Sequence, residues 1–328
     1  MEDHDRSPAT HARSSASGGM LASRVDLLSQ MLELLRLRGE LVFSADLTHP
    51  WALRFEPGSA YFFVVLEGSL IAQMGSEPSV KAIAGDLLML PRGVGHILSD
   101  GSDAPAVNAR DLMDAQFTTE RLSLRHGGNG EPTKVIAGVF HFESATVPWV
   151  VSALPAVIHI EKSGGQTGGW LEGLAHFMMM EAQTVHPGSS VMISRLIDVL
   201  IIRVIRTWAQ TRNPGDTGWV GALADPRISR ALKAIHDEPF RRWSVADLAS
   251  EVGMSRSSFA ERFSFLVKEA PLSYQNRWRL TLAHSLLREA NARVSDVARQ
   301  VGYESEAAFS RAFKAQFGVP PVSIRSAH

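Results

Sequence analysis

Hydrophobic and polar positions change their period along the chain, and each period predicts a different element. Val25 to Leu37 (VDLLSQMLELLRL) carries apolar residues at helical spacing with Asp26 near the start, which predicts a helix. From Trp51 to about Leu98 short apolar runs (AYFFVVL, LIAQM, KAIAGDLLMLPRG, HIL) alternate with Gly and Pro, the pattern of short strands joined by turns and hence of an antiparallel β unit. From Pro155 the pattern is mixed, and Gly169 to Trp208 reads as two helices separated by His186-Pro187-Gly188. The most apolar run, Val191 to Ile205, is interrupted by Arg195, Asp198 and Arg203, so it predicts a buried amphipathic helix rather than a membrane span. Thr211 to Asp225 is rich in Gly, Pro and polar residues and reads as a linker, and helical patterns dominate from Pro226 onward. The expected organisation is a tail over residues 1–20, a β-rich domain with helices over 21–210, a linker over 211–225 and an all-α module over 226–328.

The all-α module contains one design twice. LASEVGMSRSSFAERFSFLVKEAP runs from Leu248 to Pro271, and VARQVGYESEAAFSRAFKAQFGVPP from Val297 to Pro321. In the first copy Ser244 and Asp247 form a capping box, and the helix passes through Leu248, Ala249 and Val252 to stop at Gly253. Ser255 and Arg256 open a second helix with Phe259 and Phe263 on one face. Helix, glycine turn and helix make a helix-turn-helix. The second copy repeats it with Val297, Ala298, Val301, Gly302, Phe309 and Phe313, at an offset of 49 before the glycine and 50 from the phenylalanines on, so its turn has one extra residue. The two units cover about residues 244–263 and 293–313. Between them Pro271 to Ala290 predicts a connecting helix of roughly 30 Å at 1.5 Å per residue, with Leu272, Tyr274, Trp278, Leu282 and Leu286 at helical spacing. A stiff connector of that kind places two second helices in major grooves about 34 Å apart, one duplex turn.

Charge sharpens this picture. The net charge of −1 argues by itself against a polyanion partner, but it hides an asymmetry. Asp225 to His328 holds 16 Lys+Arg and 11 Asp+Glu, whereas Met1 to Ala224 holds 17 and 23. The basic half is the one with the duplicated motif, so it alone suits DNA. The chain has no cysteine, which excludes disulfides, thiolate metal sites and a Cys nucleophile and fits a reducing cytoplasm. MEDHDRSPATHARSSASGGM lacks an apolar core and is expected to be a disordered tail, not a signal peptide.

The stretches SRSSFAERF, RWRLTLAHSLL and VARQVGYESEAAFSRAFKAQFGVPP resemble the DNA-binding domain of the AraC/XylS family of bacterial transcription regulators, over about a hundred residues. The resemblance implies recognition helices at about Ser255–Phe263 and Ser305–Phe313. It places Ser257, Ala260 and Glu261 toward bases in the first and Glu306, Ala307, Ser310 and Arg311 in the second. Arg256, at a helix start, suits a phosphate or a base. Arg311 has the fork that pairs with guanine O6 and N7. Glu261 is a departure: it accepts from cytosine N4, orients Arg262, or repels. Lys268 is another, standing where the second copy has Gly318. Phe259, Phe263, Phe309, Phe313, Trp278 and Leu282 are expected in the core.

In the β unit, GDLLMLPRGVGH (Gly85–His96) followed by Asp100 resembles the second motif of the cupin barrel, and VLEGS (Val65–Ser69) the end of the first. A metal-binding cupin needs two His and a Glu from the first motif. Those positions fall within Arg54–Pro57 and on Tyr61, and none is His. One imidazole does not hold an open metal site, so His96 is expected to cap a strand turn or hydrogen-bond inside the barrel, and no metal or cofactor is expected. His126, His141, His159, His176 and His186 show no H-x-H or H-x-x-x-H pairing. With ALPAVIHIE (Ala153–Glu161) and ISRLIDVLIIRVIRTW (Ile193–Trp208), the region resembles the cupin-type sensor fused to AraC-type DNA-binding domains. Alternation directs Tyr61, Phe63 and Val65 to one side, the barrel interior, and these with His96 are the candidate effector residues. The Met178-Met179-Met180 run is expected in the core, and the Ile193–Trp208 helix is open between packing on the barrel and dimerisation through its outer stripe.

The reading is a two-domain α+β protein: a cupin-like antiparallel β-barrel with flanking helices, then an all-α module with two helix-turn-helix units. Its expected partners are double-stranded promoter DNA, a small-molecule effector, a second copy in a homodimer and, for an activator, RNA polymerase, with no membrane. Two other readings stay open: a metal-dependent cupin enzyme with a fused DNA-binding module, and a constitutive DNA binder whose barrel only dimerises.

Overall fold

A computed structural model describes residues 37–119, 121–142, 151, 154–162, 169–183, 186–211, 219–288 and 292–325. The expected tail and all of the expected Val25–Leu37 helix except its last residue lie outside the described residues. Leu37 itself begins a strand. The β unit therefore starts earlier than Trp51, with β1 (Leu37–Thr48) followed by β2 (Ala52–Phe55), β3 (Ala60–Glu67), β4 (Ser69–Gln73), β5 (Val80–Ile83), β6 (Leu87–Leu90), β7 (His96–Ser99) and β8 (Val107–Asn108). Helix α1 (Ala109–Gln116), β9 (Ser123–Gly127), β10 (Pro132–Phe142) and β11 (Ile158–Ile160) complete it.

The strands form two sheets, one of order β11-β6-β3-β10-β1-β9 and one of order β5-β4-β7-β2-β8. The expected barrel thus takes the form of a two-sheet sandwich. It is antiparallel except at two edges, where β9 runs parallel to β1 and β8 parallel to β2. Alternate residues of the facing strands fill its interior: Phe43, Phe63, Val65 and Leu88 from one sheet, Leu53, Leu70 and Leu98 from the other.

The larger sheet is covered on its other face as well. Helices α2 (Trp170–Gln183) and α3 (Ser189–Gln210) lay Leu171, Met178, Ile193, Ile197 and Ile201 against Phe62, Val64, Met89 and Ile136. Contact is close enough that a Cβ on Gly39 would lie 2.6 Å from Ile197 Cδ1. The inner stripe of the Ile193–Trp208 helix is therefore committed to the sheet, while Val191 and Val199 on its outer side are exposed. Of the three consecutive methionines only Met178 is fully buried, and Met180 faces outward.

The second half is helical: α4 (Trp219–Ala224), α5 (Pro226–Asp237), α6 (Val245–Glu251), α7 (Arg256–Val267), α8 (Pro271–Leu287), α9 (Val294–Gln300), α10 (Glu306–Phe317) and α11 (Pro321–Arg325). Part of the stretch read as a linker is thus helix α4, whose Ala222 is buried in the apolar core. The connector α8 serves two cores from one rod. Tyr274 and Trp278 pack with Phe259, Phe263 and Leu248 of the first unit; Leu280, Ala283 and Leu287 pack with Val297, Phe309 and Phe313 of the second. Leu272 lies on neither side and is exposed. Among the described residues no helix is long and apolar enough to cross a membrane.

Candidate nucleic-acid interface and sensor site

Each helix-turn-helix is built from local signals. In the first, Asp247 N–H donates to Ser244 Oγ at 3.1 Å and Ser244 N–H donates to Asp247 Oδ2 at 2.9 Å, closing the capping box at the start of α6. Gly253 and Gly302 take φ of 65° and 87° at the two turns, the left-handed region that favours glycine. Ser255 and Ser305 then cap α7 and α10 by accepting from Ser258 N–H and Ala308 N–H, each at 3.2 Å. Phe259, Phe263, Phe309 and Phe313 are fully buried, so they hold the second helices down and leave the opposite faces free.

Those free faces carry every residue expected to meet DNA. Arg256, Ser257 and Glu261 on α7 and Glu306, Ala307 and Arg311 on α10 are exposed, and Ala260 and Ser310 are half-buried. Superposing the copies on their cap serines pairs Arg256 with Glu306, Ala260 with Ser310, and Glu261 with Arg311. The charge order along the two helices is therefore inverted. Among the described residues, none of these four charged side chains has an ion-pair partner.

One role considered for Glu261, orienting Arg262, belongs instead to Asp225. Arg262 Nε donates to Asp225 Oδ2 at 2.6 Å. Asp225 also accepts from Arg227 and Ile228 N–H as the N-cap of α5. Burial pushes the Asp225 carboxyl up, but bonds from Ile228, Arg262 and Arg227 outweigh it and hold the pKa below the usual value.

The four candidate effector residues come together as well. His96, at the start of β7, is buried and stacks on Phe55 with ring centroids 4.7 Å apart and planes 4° from parallel. Tyr61 and Phe63 meet it edge-on at 5.4 and 5.7 Å, and Val65 continues the same face of β3 into the interior. Burial lowers the His96 pKa to about 4, so the ring is neutral. Aromatic carbon surrounds it where a metal would need further donors. Among the described residues no group of three His, Asp or Glu is placed to hold an ion. The donor set does not fit a cupin metal.

Both halves of the chain match known families. A cupin family model covers residues 26–210 and a helix-turn-helix domain model residues 248–327. A Streptomyces lividans protein named as an AraC-like transcription regulator is 32% identical over 307 residues, 92% of this chain and 98% of that protein. The transcriptional regulator AlkR of Acinetobacter baylyi is 30% identical over 305 residues, 92% of this chain and 99% of that protein. The chain belongs to the AraC-like transcription regulators. Its DNA-binding half is also similar to the crystal structure of the DNA-binding domain of AdpA in complex with a target DNA, with 30% identity over 31% of this chain and 92% of that one and a TM-score of 0.30.

Sequence reasoning missed several residues that shape this AraC-like regulator. Phe55 lies in the Arg54–Pro57 stretch where a metal-binding cupin carries histidine, and it supplies the stacking partner of His96. Glu304 is the extra residue of the second turn, and it accepts from Arg242 at 3.1 Å while Arg242 also donates to Gly302 O at 2.8 Å. Tyr303 O–H donates to Asn276 on α8 at 2.7 Å. The added residue thus sits where the second turn is fastened to Arg242, on the segment between α5 and α6, and to the connector α8. The unequal offset of the copies marked the place but not the partner.

Proposed function

We propose that this AraC-like regulator reads promoter DNA with the exposed faces of α7 and α10, and that a small molecule bound by the cupin-like sandwich controls the reading. The observation that carries the first part is the pair of equivalent, cap-defined helices whose outward faces hold Arg256, Glu261, Glu306 and Arg311, none of them ion-paired among the described residues. Arginine forks suit guanine edges and glutamate suits cytosine N4, so these side chains read bases, while the helix N-termini orient the chain on phosphates. Because α8 joins both cores, one chain spans about one duplex turn. The second part is supported by the aromatic enclosure of His96 at the end of an otherwise filled sandwich. No catalytic step is needed: coupling of two binding sites suffices. Val191 and Val199, exposed on the outer stripe of α3, support a homodimer as a further assembly.

The test is a mobility shift of the purified chain on the DNA flanking its own gene, at two salt concentrations, against random DNA of equal length. A specific complex that outcompetes random DNA is expected. Equal affinity for both sequences at every salt concentration would remove the proposal that these faces read bases.

A further inference from the structure

We propose that Arg242 and Glu304 are positioning residues that fix the angle between the two reading helices, and so set how many base pairs must separate the two half-sites this chain accepts. The inference rests on the reading that α7 and α10 both meet DNA.

The division of the helical half into two cores calls for such a device. One apolar cluster holds the first helix-turn-helix with Tyr274 and Trp278 of α8, and a separate one holds the second with Leu280, Ala283 and Leu287. A rod that serves both cores sets the distance between them. The rotation of one unit about the rod is set by contacts beside it.

Those contacts start on the segment between α5 and α6. It is bonded to the rod, with Arg279 Nε donating to Pro239 O at 2.8 Å and Gln275 Nε2 to Arg241 O at 3.0 Å. From this footing Arg242 reaches across to the second unit, where Nη2 donates to Gly302 O at 2.8 Å and Nη1 to Glu304 Oε1 at 3.1 Å. Between these two acceptors, Tyr303 O–H donates to Asn276 Oδ1 on the rod at 2.7 Å. Three consecutive residues of the second turn are therefore held, and the next one, Ser305, caps α10. Any displacement of the turn passes straight to the reading helix.

Comparison of the copies shows what the extra residue adds. Met254 N–H donates to Ala249 O and Tyr303 N–H to Ala298 O, both at 2.9 Å, so the two turns match up to these residues. The first copy then goes directly to its cap, Ser255, whereas the second inserts Glu304 before Ser305. The inserted residue is the carboxylate that Arg242 grips. With 62% of the Arg242 side chain and 84% of that of Glu304 exposed, the pair adds little to stability. Its value is directional, because a guanidinium that holds two acceptors at once fixes orientation as well as distance.

One base pair added between half-sites turns the second by roughly 35° and moves it by about 3.4 Å. The experiment measures mobility shifts of the full chain on its operator, taken from the DNA flanking its gene, and on the same operator with one base pair added or removed between the half-sites. Wild type is expected to lose about tenfold or more on the altered spacings, the value of a lost bidentate base contact. Glu304→Ala and Arg242→Ala free the second unit to follow the displaced half-site and are expected to cut that loss to about threefold. Their urea midpoints are expected to stay near that of wild type, which separates positioning from folding. Glu304→Gln, whose amide oxygen still accepts from Arg242, is expected to restore most of the spacing preference. A wild type indifferent to spacing, or losses as large in both alanine variants as in wild type, would overturn the proposal. So would an Arg242→Ala loss that is equal at every spacing and lowers the salt slope by about 0.9, the mark of a phosphate contact. Wild type that prefers its operator to random DNA, with spacing losses unchanged in the variants, removes this inference alone. Wild type without that preference removes the reading of bases as well.

Discussion

Glu261 and Arg311 occupy the same place on two copies of one helix, each six residues past the serine that caps it, and they carry opposite charges. Arg256 and Glu306, one residue past the same serines, are opposed in the reverse sense. Five residues of helix separate the two positions, about 7.5 Å or roughly two base-pair steps. The arginine fork therefore stands at the N-terminus of α7 but a turn and a half later on α10.

Arg311→Ala is expected to weaken operator binding by about tenfold to a hundredfold, the value of a bidentate base contact, with a much smaller loss on random DNA. Arg256→Ala is expected to relax preference at a base pair under the first unit, and Glu261→Ala to relax a preference for cytosine nearby. Competition binding on single-position operator variants at fixed salt measures all three. Unaltered preference at every position in all three variants would rule out base reading by these side chains.

Lys268 and Gly318 end the two second helices in the same left-handed conformation, at φ of 64° and 75°. Only glycine adopts it without strain. Contact of the Lys268 ammonium with the Phe265 ring, 4.8 Å to the centroid, is an exposed cation–π pair and offsets only part of that cost. Lys268→Gly is expected to stabilise the chain by about 1 kcal/mol, and Gly318→Ala to destabilise it by about as much. Urea unfolding midpoints at constant slope check the pair.

Asp225 caps α5 and holds Arg262, and the two duties differ in value. The capped N–H groups are partly or fully buried, whereas half of the Arg262 side chain is in water. Asp225→Ala is expected to cost about 1–2 kcal/mol, mostly from the cap, and Arg262→Ala less than about 1 kcal/mol, as for other exposed ion pairs. Equal losses in the two variants would show that the ion pair, not the cap, dominates.

His96 and His236 make the fold sensitive to mild acid. Burial depresses their pKa values to about 4 and about 3, against 6.5 for an ordinary histidine. The unfolded chain takes up these protons first, so stability falls as pH drops below about 6.5 and levels off only below the folded values. Each histidine contributes up to about 1.4 kcal/mol per pH unit to the slope. His96→Phe is expected to remove its share between about pH 6.5 and pH 4, measured by denaturant unfolding across that range. An unchanged slope would mean that His96 takes up its proton as readily in the folded chain as in the unfolded one.

Much of the helical half was legible because its signals act over three or four residues. Ser244 with Asp247, the cap serines, Gly253, Gly302 and the paired phenylalanines each name a local geometry, and the structure places all of them as their chemistry requires. The β half was less legible. Strand β10 buries six residues in a row, Val135 to Phe140, because one face lines the sandwich and the other lies under α2 and α3. A strand buried on both faces shows no alternation to read. Helix α4 was hidden inside a Gly- and Pro-rich stretch for the related reason that its burial comes from elsewhere in the chain.

By itself the sequence determined the duplicated helix-turn-helix, its caps and turns, and which phenylalanines turn inward, since those follow from nearest-neighbour geometry along the backbone. Only the tertiary structure decided what lies across from each side chain. It gave Arg262 to Asp225, 37 residues away, rather than to its neighbour Glu261. It set Phe55 and Tyr61 around His96, and it forced Lys268 into a conformation its own propensity disfavours. The physical reason is common to all three: packing between distant segments supplies more free energy than a local preference costs, and no period or spacing records which distant segment will supply it.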